Sequence, residues 1–226
     1  MWQEVREELH PGGFELVTVA LETRGLSEAA RWIEAAAPKH PSLIDQAHLL
    51  DELYGVVNVP TGIWIDEAGV IVRPAEAAWP GVARFTEASG AGEEAPTRLR
   101  VVASGALGIH IRPRRYLEAL REWVATGAHA LPPAEVIARS GERSPEAALA
   151  AAHFELGQHL HRTGSEKAAQ PHFREAHRLK PDNWTYKRQA WAMVDRLQGP
   201  TDVYDGDWIT DVRRQGPENY YRNPDF

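Results

Sequence analysis

The N-terminal third of the chain alternates short apolar runs with stretches that have the spacing of amphipathic helices. β-branched and large apolar residues occupy residues 14–21, 42–45, 62–66 and 70–73, and the turn Glu67-Ala68-Gly69 separates the last two runs. Helical spacing separates the first run from the second and the second from the third. The order β-α-β-α-β-β predicts a parallel pair of strands joined by a crossover helix, with an antiparallel hairpin at the edge. The fold class predicted is therefore an α/β sandwich with a mixed sheet.

Signals for helix ends refine this prediction. Residues 2–9 are predicted to form a helix that Pro11-Gly12-Gly13 ends, and residues 48–54 a helix that Gly55 ends. Ser27 is predicted to be the N-cap of the helix between the first two strands. The apolar face of that helix is formed by Ala30, Ile33 and Ala37.

The middle of the chain has weaker patterns. Residues 75–96 mix Gly, Ala, Glu and Pro and are predicted to be a loop, and residues 99–103 are predicted to be a short strand. Residues 113–123 have amphipathic spacing and are predicted to be a helix, and residues 127–143 a connector. Ser144 and Pro145 then form an N-cap and N1 pair that opens a long alanine-rich helix.

Composition excludes several classes of site. The chain has 226 residues and no cysteine, so it has no disulfide, no thiolate metal ligand and no cysteine nucleophile. Its 32 acidic residues exceed its 25 Lys and Arg residues, which disfavours a nucleic-acid partner. No apolar run approaches the roughly 20 residues of a membrane helix, and the first residues have no signal-peptide pattern. We therefore expect a cytoplasmic location and no membrane span.

Five short motifs in residues 41–74 occur in the order and spacing of the ResA/TlpA-like thiol-disulfide oxidoreductases, which belong to the thioredoxin superfamily. The motifs are Leu43-Ile44-Asp45, Tyr54-Gly55-Val56, Val59-Pro60-Thr61, Ile63-Trp64-Ile65-Asp66 and Gly69. The segment resembles that family, and the resemblance implies a thioredoxin-like fold.

The resemblance also implies a substrate-binding loop. In the family, the proline at the position of Pro60 is cis and its loop faces the redox dithiol, so Val59, Pro60 and Thr61 are the candidate substrate-binding residues. Another interpretation is that Pro60 only begins an edge strand.

The family's first buried strand and its dithiol motif have no counterpart in this sequence. The resemblance thus implies a sheet without its central strand, whose neighbours have unpaired edges. A start codon assigned downstream of the true one, with a Cys or selenocysteine motif upstream, would explain the difference. A degenerate member that keeps the fold for binding would explain it equally.

Residues 150–183 resemble a tetratricopeptide (TPR) repeat, a pair of antiparallel helices with a period of about 34 residues. The matching positions are Leu156, Gly157, Leu160, Ala169, Phe173, Ala176 and Pro181. Small residues at Gly157 and Ala169 allow the helices to approach closely, and Phe173 fills the space between them. We expect the turn at Gly164 and the helix end before Pro181.

A single repeat does not bury its apolar face alone, since about three are usually needed. Residues 184–197 are therefore predicted to form a capping helix, with Tyr186, Ala190, Trp191 and Val194 facing the repeat. The aromatic tail, residues 199–226, is predicted to pack against the helices rather than to bind a partner.

Neither metal binding nor acid-base catalysis is predicted. Five histidines fall in one segment, but no pair has the i, i+4 spacing of a helical zinc site. They are His153, His159, His161, His172 and His177. Asp45 and Asp66 are interpreted as residues of strand ends and turns rather than as a catalytic pair. We predict no catalytic residue, no metal and no cofactor.

These patterns divide the chain into four segments: a thioredoxin-like domain (1–105), a helix with a Pro-rich connector (106–143), a TPR-like domain (144–197) and an aromatic tail (198–226). The leading hypothesis is a redox-family protein, inactive as this chain, whose TPR-like region recruits a protein partner. The alternative is a non-enzymatic scaffold that binds proteins through both parts. A peroxidase-like member of the same superfamily is a third possibility, and it too would need a nucleophile upstream.

Overall fold

The computed structural model describes residues 2–79, 108–109 and 112–226 of the chain. Within them the fold is mixed α/β and rich in helix, with two small sheets. The strand predicted at residues 99–103, and all but the start of the loop predicted at 75–96, lie outside the described residues.

The four strands form two separate two-stranded sheets. Strands β1 (Thr18–Leu21) and β2 (Ser42–Asp45) are parallel and pair Thr18 with Ser42 through Leu21 with Asp45. Strands β3 (Thr61–Ile65) and β4 (Ile71–Ala77) are antiparallel and form the predicted hairpin. The described strands therefore do not form the expected mixed sheet, because neither β1 nor β2 pairs with β3 or β4.

Nine helices account for most of the described chain. Their bounds are α1 Trp2–Leu9, α2 Leu26–Ala36, α3 Leu49–Tyr54, α4 Pro113–Thr126, α5 Pro133–Ser140, α6 Pro145–Arg162, α7 Glu166–Leu179, α8 Trp184–Val194 and α9 Trp208–Gln215. Two 3₁₀ turns follow α1 and α9, at His10–Gly12 and Pro217–Asn219. Helix α2 is the crossover between the parallel strands, as the sequence predicts.

Several boundaries differ from the sequence predictions. The strand predicted at 14–21 is shortened to β1, and residues 75–77 extend β4 instead of beginning a loop. The connector predicted at 127–143 contains helix α5, because Pro133 at its first turn needs no hydrogen-bond partner for a backbone N–H. The strand differences are changes of length, whereas α5 is an element that the sequence does not predict.

The predicted N-cap at Ser27 was wrong. Gly25 occupies the N-cap position of α2, and the Ser27 hydroxyl instead donates a hydrogen bond to the carbonyl of Arg24. The predicted cap at Ser144 is confirmed, since its hydroxyl accepts a hydrogen bond from the N–H of Ala147 at 3.1 Å.

Helices α6 and α7 form an antiparallel pair joined by a turn at Gly164, whose φ is 80°. Phe173, Ala169 and Ala176 are fully buried between the helices. A Cβ added at Gly157 would lie 2.9–3.1 Å from three ring carbons of Phe173, so only glycine allows this approach. Two of the repeat positions are exposed, Leu156 and Pro181.

Helix α8 and the tail complete the helical core. Trp184, Tyr186 and Trp191 of α8 are buried against the α6–α7 pair. Tyr220 of the tail is buried in the same cluster. Val194, predicted to cover the repeat, is exposed because α8 ends at that residue.

The tail continues to a second core in the α/β part. This core contains Val5, Leu9, Trp64, Val72, Ala78, Tyr116, Ala119 and Leu120. The ring of Phe226 stacks on Trp64 at 5.8 Å, and the Asp225 carboxylate pairs with Arg73 at 2.9 Å. Hydrogen bonds from Arg139 and Arg73 hold the pKa of Asp225 well below its usual range. The predicted packing of the tail is confirmed, and it joins both cores.

We expect Gly157→Ala to destabilise the protein by about 1–3 kcal/mol, because the added methyl group overlaps the Phe173 ring. At a helical position with open space, the change from Gly to Ala stabilises a protein by roughly 0.5–1 kcal/mol. A loss of stability in Gly157→Ala would therefore indicate the close contact with Phe173. Urea unfolding followed by circular dichroism measures the effect. When Phe173→Leu is already present, Gly157→Ala should cause a smaller loss of stability. A Gly157→Ala variant as stable as wild type would contradict the close packing of Gly157 against Phe173.

His177 should make stability depend on pH. Burial, and secondarily the charge of Lys187, lowers the pKa of His177 from 6.5 to about 3. Between those values the unfolded chain binds more protons than the folded chain, so the free energy of unfolding falls as pH decreases below about 6.5. The contribution is at most about 1.4 kcal/mol per pH unit.

Urea unfolding at about pH 7 and about pH 5 measures this dependence. His177→Leu should show a smaller loss of stability between the two pH values than wild type. His159→Leu serves as the control because His159 is exposed on α6, and it should retain the wild-type difference. Equal losses in wild type and His177→Leu would show that burial of His177 does not have this effect.

Candidate functional site

The loop Val59-Pro60-Thr61 is held by its own chain. The peptide bond between Val59 and Pro60 is cis, which agrees with the family resemblance. The Val59 N–H donates to the Asn58 side-chain oxygen at 2.8 Å, and the Tyr221 hydroxyl donates to the Val59 carbonyl at 2.9 Å. The Thr61 hydroxyl donates to the Asn58 carbonyl at 2.6 Å. The polar backbone groups of Val59 are therefore already paired within the chain.

The side chain of Val59 lines an open cleft of about 430 Å³. Strand β1 contributes Val19, Ala20 and Leu21 to the same cleft. The other lining residues come from α2 and its preceding turn and from α8 and the residues after it. Of the three predicted loop residues, the structure brings only Val59 to this cleft.

An exposed aromatic side chain stands on the α2 wall of the cleft. Trp32 is 67% exposed, and the Arg31 guanidinium lies over its ring at 5.0 Å. Large aromatic side chains and arginine are enriched at the energetically important positions of protein interfaces. Trp32 and Arg31 therefore have the chemistry of a binding surface.

The charged residues at the cleft differ in exposure. Three arginines and two glutamates line it: Arg24, Arg31, Arg196, Glu22 and Glu28. The side chains of Glu22, Glu28 and Arg24 are 17%, 17% and 23% exposed, whereas those of Arg31 and Arg196 are 53% and 60% exposed. The cleft thus presents positive charge to solvent.

Glu22 is held ionised although it is half-buried. Burial alone would raise the pKa of Glu22, but hydrogen bonds from Arg24 and then from Gln189 lower it overall. The Arg24 guanidinium lies 2.9 Å from the Glu22 carboxylate and also donates to the Ala192 carbonyl at 3.3 Å. The pair therefore connects the end of β1 to α8.

Buried hydrogen bonds continue from this pair into the interior. The Gln189 side-chain N–H donates to Glu22 at 3.2 Å, and its oxygen accepts from the Thr23 N–H at 3.3 Å. That oxygen also lies 3.3 Å from His48 Nε2. The Gln158 side chain donates to the Thr23 hydroxyl at 2.8 Å. We call these bonds the Gln189 network, and they fix the end of β1 against α6 and α8.

His48 and Asp51 form a pair that resembles a catalytic dyad, with His48 Nδ1 3.0 Å from Asp51 Oδ2. Their side chains are 1% and 0% exposed, and the His48 ring contacts the edge of Phe154. A substrate cannot reach a pair so fully covered. We assign the pair a structural role in the Gln189 network.

Asp45 and Asp66 form local hydrogen bonds, as the sequence predicts. Asp45 accepts hydrogen bonds from the N–H groups of Ala47 and Leu50, and Asp66 accepts from those of Ala68 and Val70. Each carboxylate therefore shapes the turn that follows it.

The five histidines do not form one cluster. His153 and His172 meet across the α6–α7 pair, with their Nδ1 atoms 3.0 Å apart. His177 is partly buried near Trp191 and Tyr204, with its Nε2 atom covered. Among residues 2–79, 108–109 and 112–226, no three His, Cys, Asp or Glu side chains converge as metal ligands would. No helix in this part of the chain has both the length and the apolar character needed to cross a bilayer.

Comparison with protein-family models, with curated proteins and with solved structures found no match to this chain. The assignment of the candidate site therefore rests on the geometry described above.

The cleft residues outside the loop were missed by sequence reasoning. A signal existed for Trp32, because the predicted apolar face of α2, with Ala30 and Ile33, leaves Trp32 directed away from the core. Arg196 follows α8 and reaches the cleft only through the packing of α8. No local pattern indicates such a contact.

We expect Gln189→Ala to destabilise the protein by about 1–3 kcal/mol, because it leaves the buried Thr23 N–H and His48 without their partner. Thermal and urea unfolding measure the loss. Lys167→Ala on the exposed face of α7 is the control and should change stability by less than about 0.5 kcal/mol. A loss no larger than that of the control would show that the Gln189 network contributes little.

Proposed function

We propose that this chain is a polypeptide-binding protein of ResA/TlpA-like, thioredoxin-type origin, with TPR-like helices, and that it performs no thiol-disulfide chemistry. Such chemistry begins with thiolate attack on a disulfide, and this sequence contains no cysteine. The proposal therefore places its function in binding.

Four features of the α/β part support the thioredoxin-like assignment. A crossover helix joins two parallel strands, a short helix follows, and a cis proline precedes an antiparallel hairpin. The resemblance implies a central strand beside β1, and β1 has a partner on one side only among the described strands. These features agree with the order of the family motifs.

The α6–α7 pair supports the TPR-like assignment. Gly157 faces Phe173, and Ala169 and Ala176 are buried, as the repeat pattern requires. Helix α8 and the tail cover this pair, so a single repeat is stabilised by other elements of the chain. Protein binding by the TPR-like region is part of the proposal.

The cleft beside Val59 is the observation that carries the proposed function. It combines a strand edge that no described strand pairs with, an exposed tryptophan and exposed arginines in about 430 Å³, a volume within the usual range of binding sites. An extended polypeptide has the backbone, apolar and charged groups that such a surface can contact.

Binding of reduced, carboxymethylated α-lactalbumin, an unfolded polypeptide, tests this proposal by fluorescence anisotropy. We expect saturable binding that Trp32→Ala weakens about tenfold or more, as for an interface residue of high energy. Ile137→Ala is the matched control, because Ile137 is 72% exposed and does not line the cleft. Equal effects of the two substitutions would contradict the assignment of the cleft.

Insulin reduction tests the absence of redox chemistry. The purified chain should give no turnover above buffer, because it has no thiol. Turnover that persists after repeated purification would contradict the proposal.

A further inference from the structure

The outer edge of β1 has backbone groups that point away from β2 and that pair with no described residue. The N–H groups of Thr18 and Glu22 donate to Pro41 and Asp45 on the β2 side. Because alternate residues of a strand direct their backbone groups to opposite edges, those of Val19 and Leu21 point to the other side. No described strand pairs with that side.

The open edge has a defined end and lies at the cleft. The next outward N–H, that of Thr23, is already bonded to Gln189, so the stretch of β1 that the described residues leave unpaired is Val19–Leu21. All three residues of this stretch line the cleft. The edge therefore offers two N–H groups and two carbonyls, which is enough to pair with about five residues of an extended chain.

The charges around the edge select the side chains of the segment that binds. Glu28 is already paired with Arg196 and Arg31, and its carboxylate is largely covered. The guanidinium groups of Arg31 and Arg196 retain donors that face solvent, because an arginine has five N–H donors. Their charge complements a carboxylate.

We propose that an extended segment of a partner protein, with β-branched residues in its middle and acidic residues at its ends, binds the cleft as an additional strand on β1. This inference rests on the proposed function and specifies its ligand. The backbone of the segment pairs with Val19 and Leu21, its acidic side chains contact Arg31 and Arg196, and its apolar face covers Trp32.

A partner protein fits this site better than a second copy of the chain. Antiparallel pairing of two β1 strands would bring Arg31 and Arg196 of both copies to one interface. Like charges placed together in an interface oppose association.

The test uses three fluorescein-labelled peptides in anisotropy titrations with the full chain. The first is Asp-Val-Thr-Val-Asp-amide with fluorescein attached to its N-terminal amine, the second has alternate backbone amides methylated, and the third has Asn in place of both Asp residues. We expect the methylated peptide to bind at least tenfold more weakly, because it cannot donate strand hydrogen bonds. We expect the Asn peptide to bind three- to tenfold more weakly.

Two arginine variants locate the acidic contacts. Arg31→Gln combined with Arg196→Gln should remove the difference between the Asp and Asn peptides. Arg213→Gln is the matched control, since Arg213 is exposed on α9 and does not line the cleft, and it should retain the difference. Amide exchange measured by NMR should slow at Val19 and Leu21 when the first peptide binds wild type.

The outcomes separate this inference from the proposed function. Carboxymethylated α-lactalbumin could bind in a way that depends on Trp32, while the methylated and Asn peptides bind as well as the first peptide. That result would support the proposed function and overturn strand addition. Absence of binding by every probe would overturn both. Self-association detected by sedimentation and blocked by the first peptide would identify a second copy as the occupant and overturn the choice of a partner protein.

Discussion

The Gln189 network is the interaction on which the arrangement of the molecule depends. One side chain satisfies the Thr23 N–H at the end of β1, contacts His48 before α3 and donates to Glu22. Buried polar groups are costly when unpaired, so these contacts hold the α/β part in one position relative to α8. A purely apolar contact would allow more positions, because it has no directional requirement. The network thereby fixes the distance between the β1 edge and Ala192, which lie on different walls of the cleft.

Local patterns in the sequence predict most of the elements. The spacing in residues 2–9 and 113–123, the turn at Gly69 and the cap at Ser144 each depend on near neighbours, and each is present in the structure. Long-range packing was less predictable. Leu156 matches a repeat position and is exposed, and Ser27 is a good cap by residue type but lies one residue inside the helix.

The candidate site was only partly predictable for the same reason. The loop residues were found through a family resemblance. The sequence does not indicate that the Tyr221 hydroxyl of the tail donates a hydrogen bond to the Val59 carbonyl. The arginines become important because Glu28 is covered while Arg31 and Arg196 are not. Exposure of this kind is a property of the packed chain, so it cannot be derived from residue spacing.

The position of the tail also determines when the α/β part can finish folding during synthesis. The Ala77 N–H donates to the carbonyl of Arg222, and Phe226 stacks on Trp64 in the core that contains α1. Ribosomes deliver the chain from its N-terminus, so strands β3 and β4 emerge long before these contacts exist. The core around Trp64 therefore cannot be completed until residues 222–226 have been synthesised.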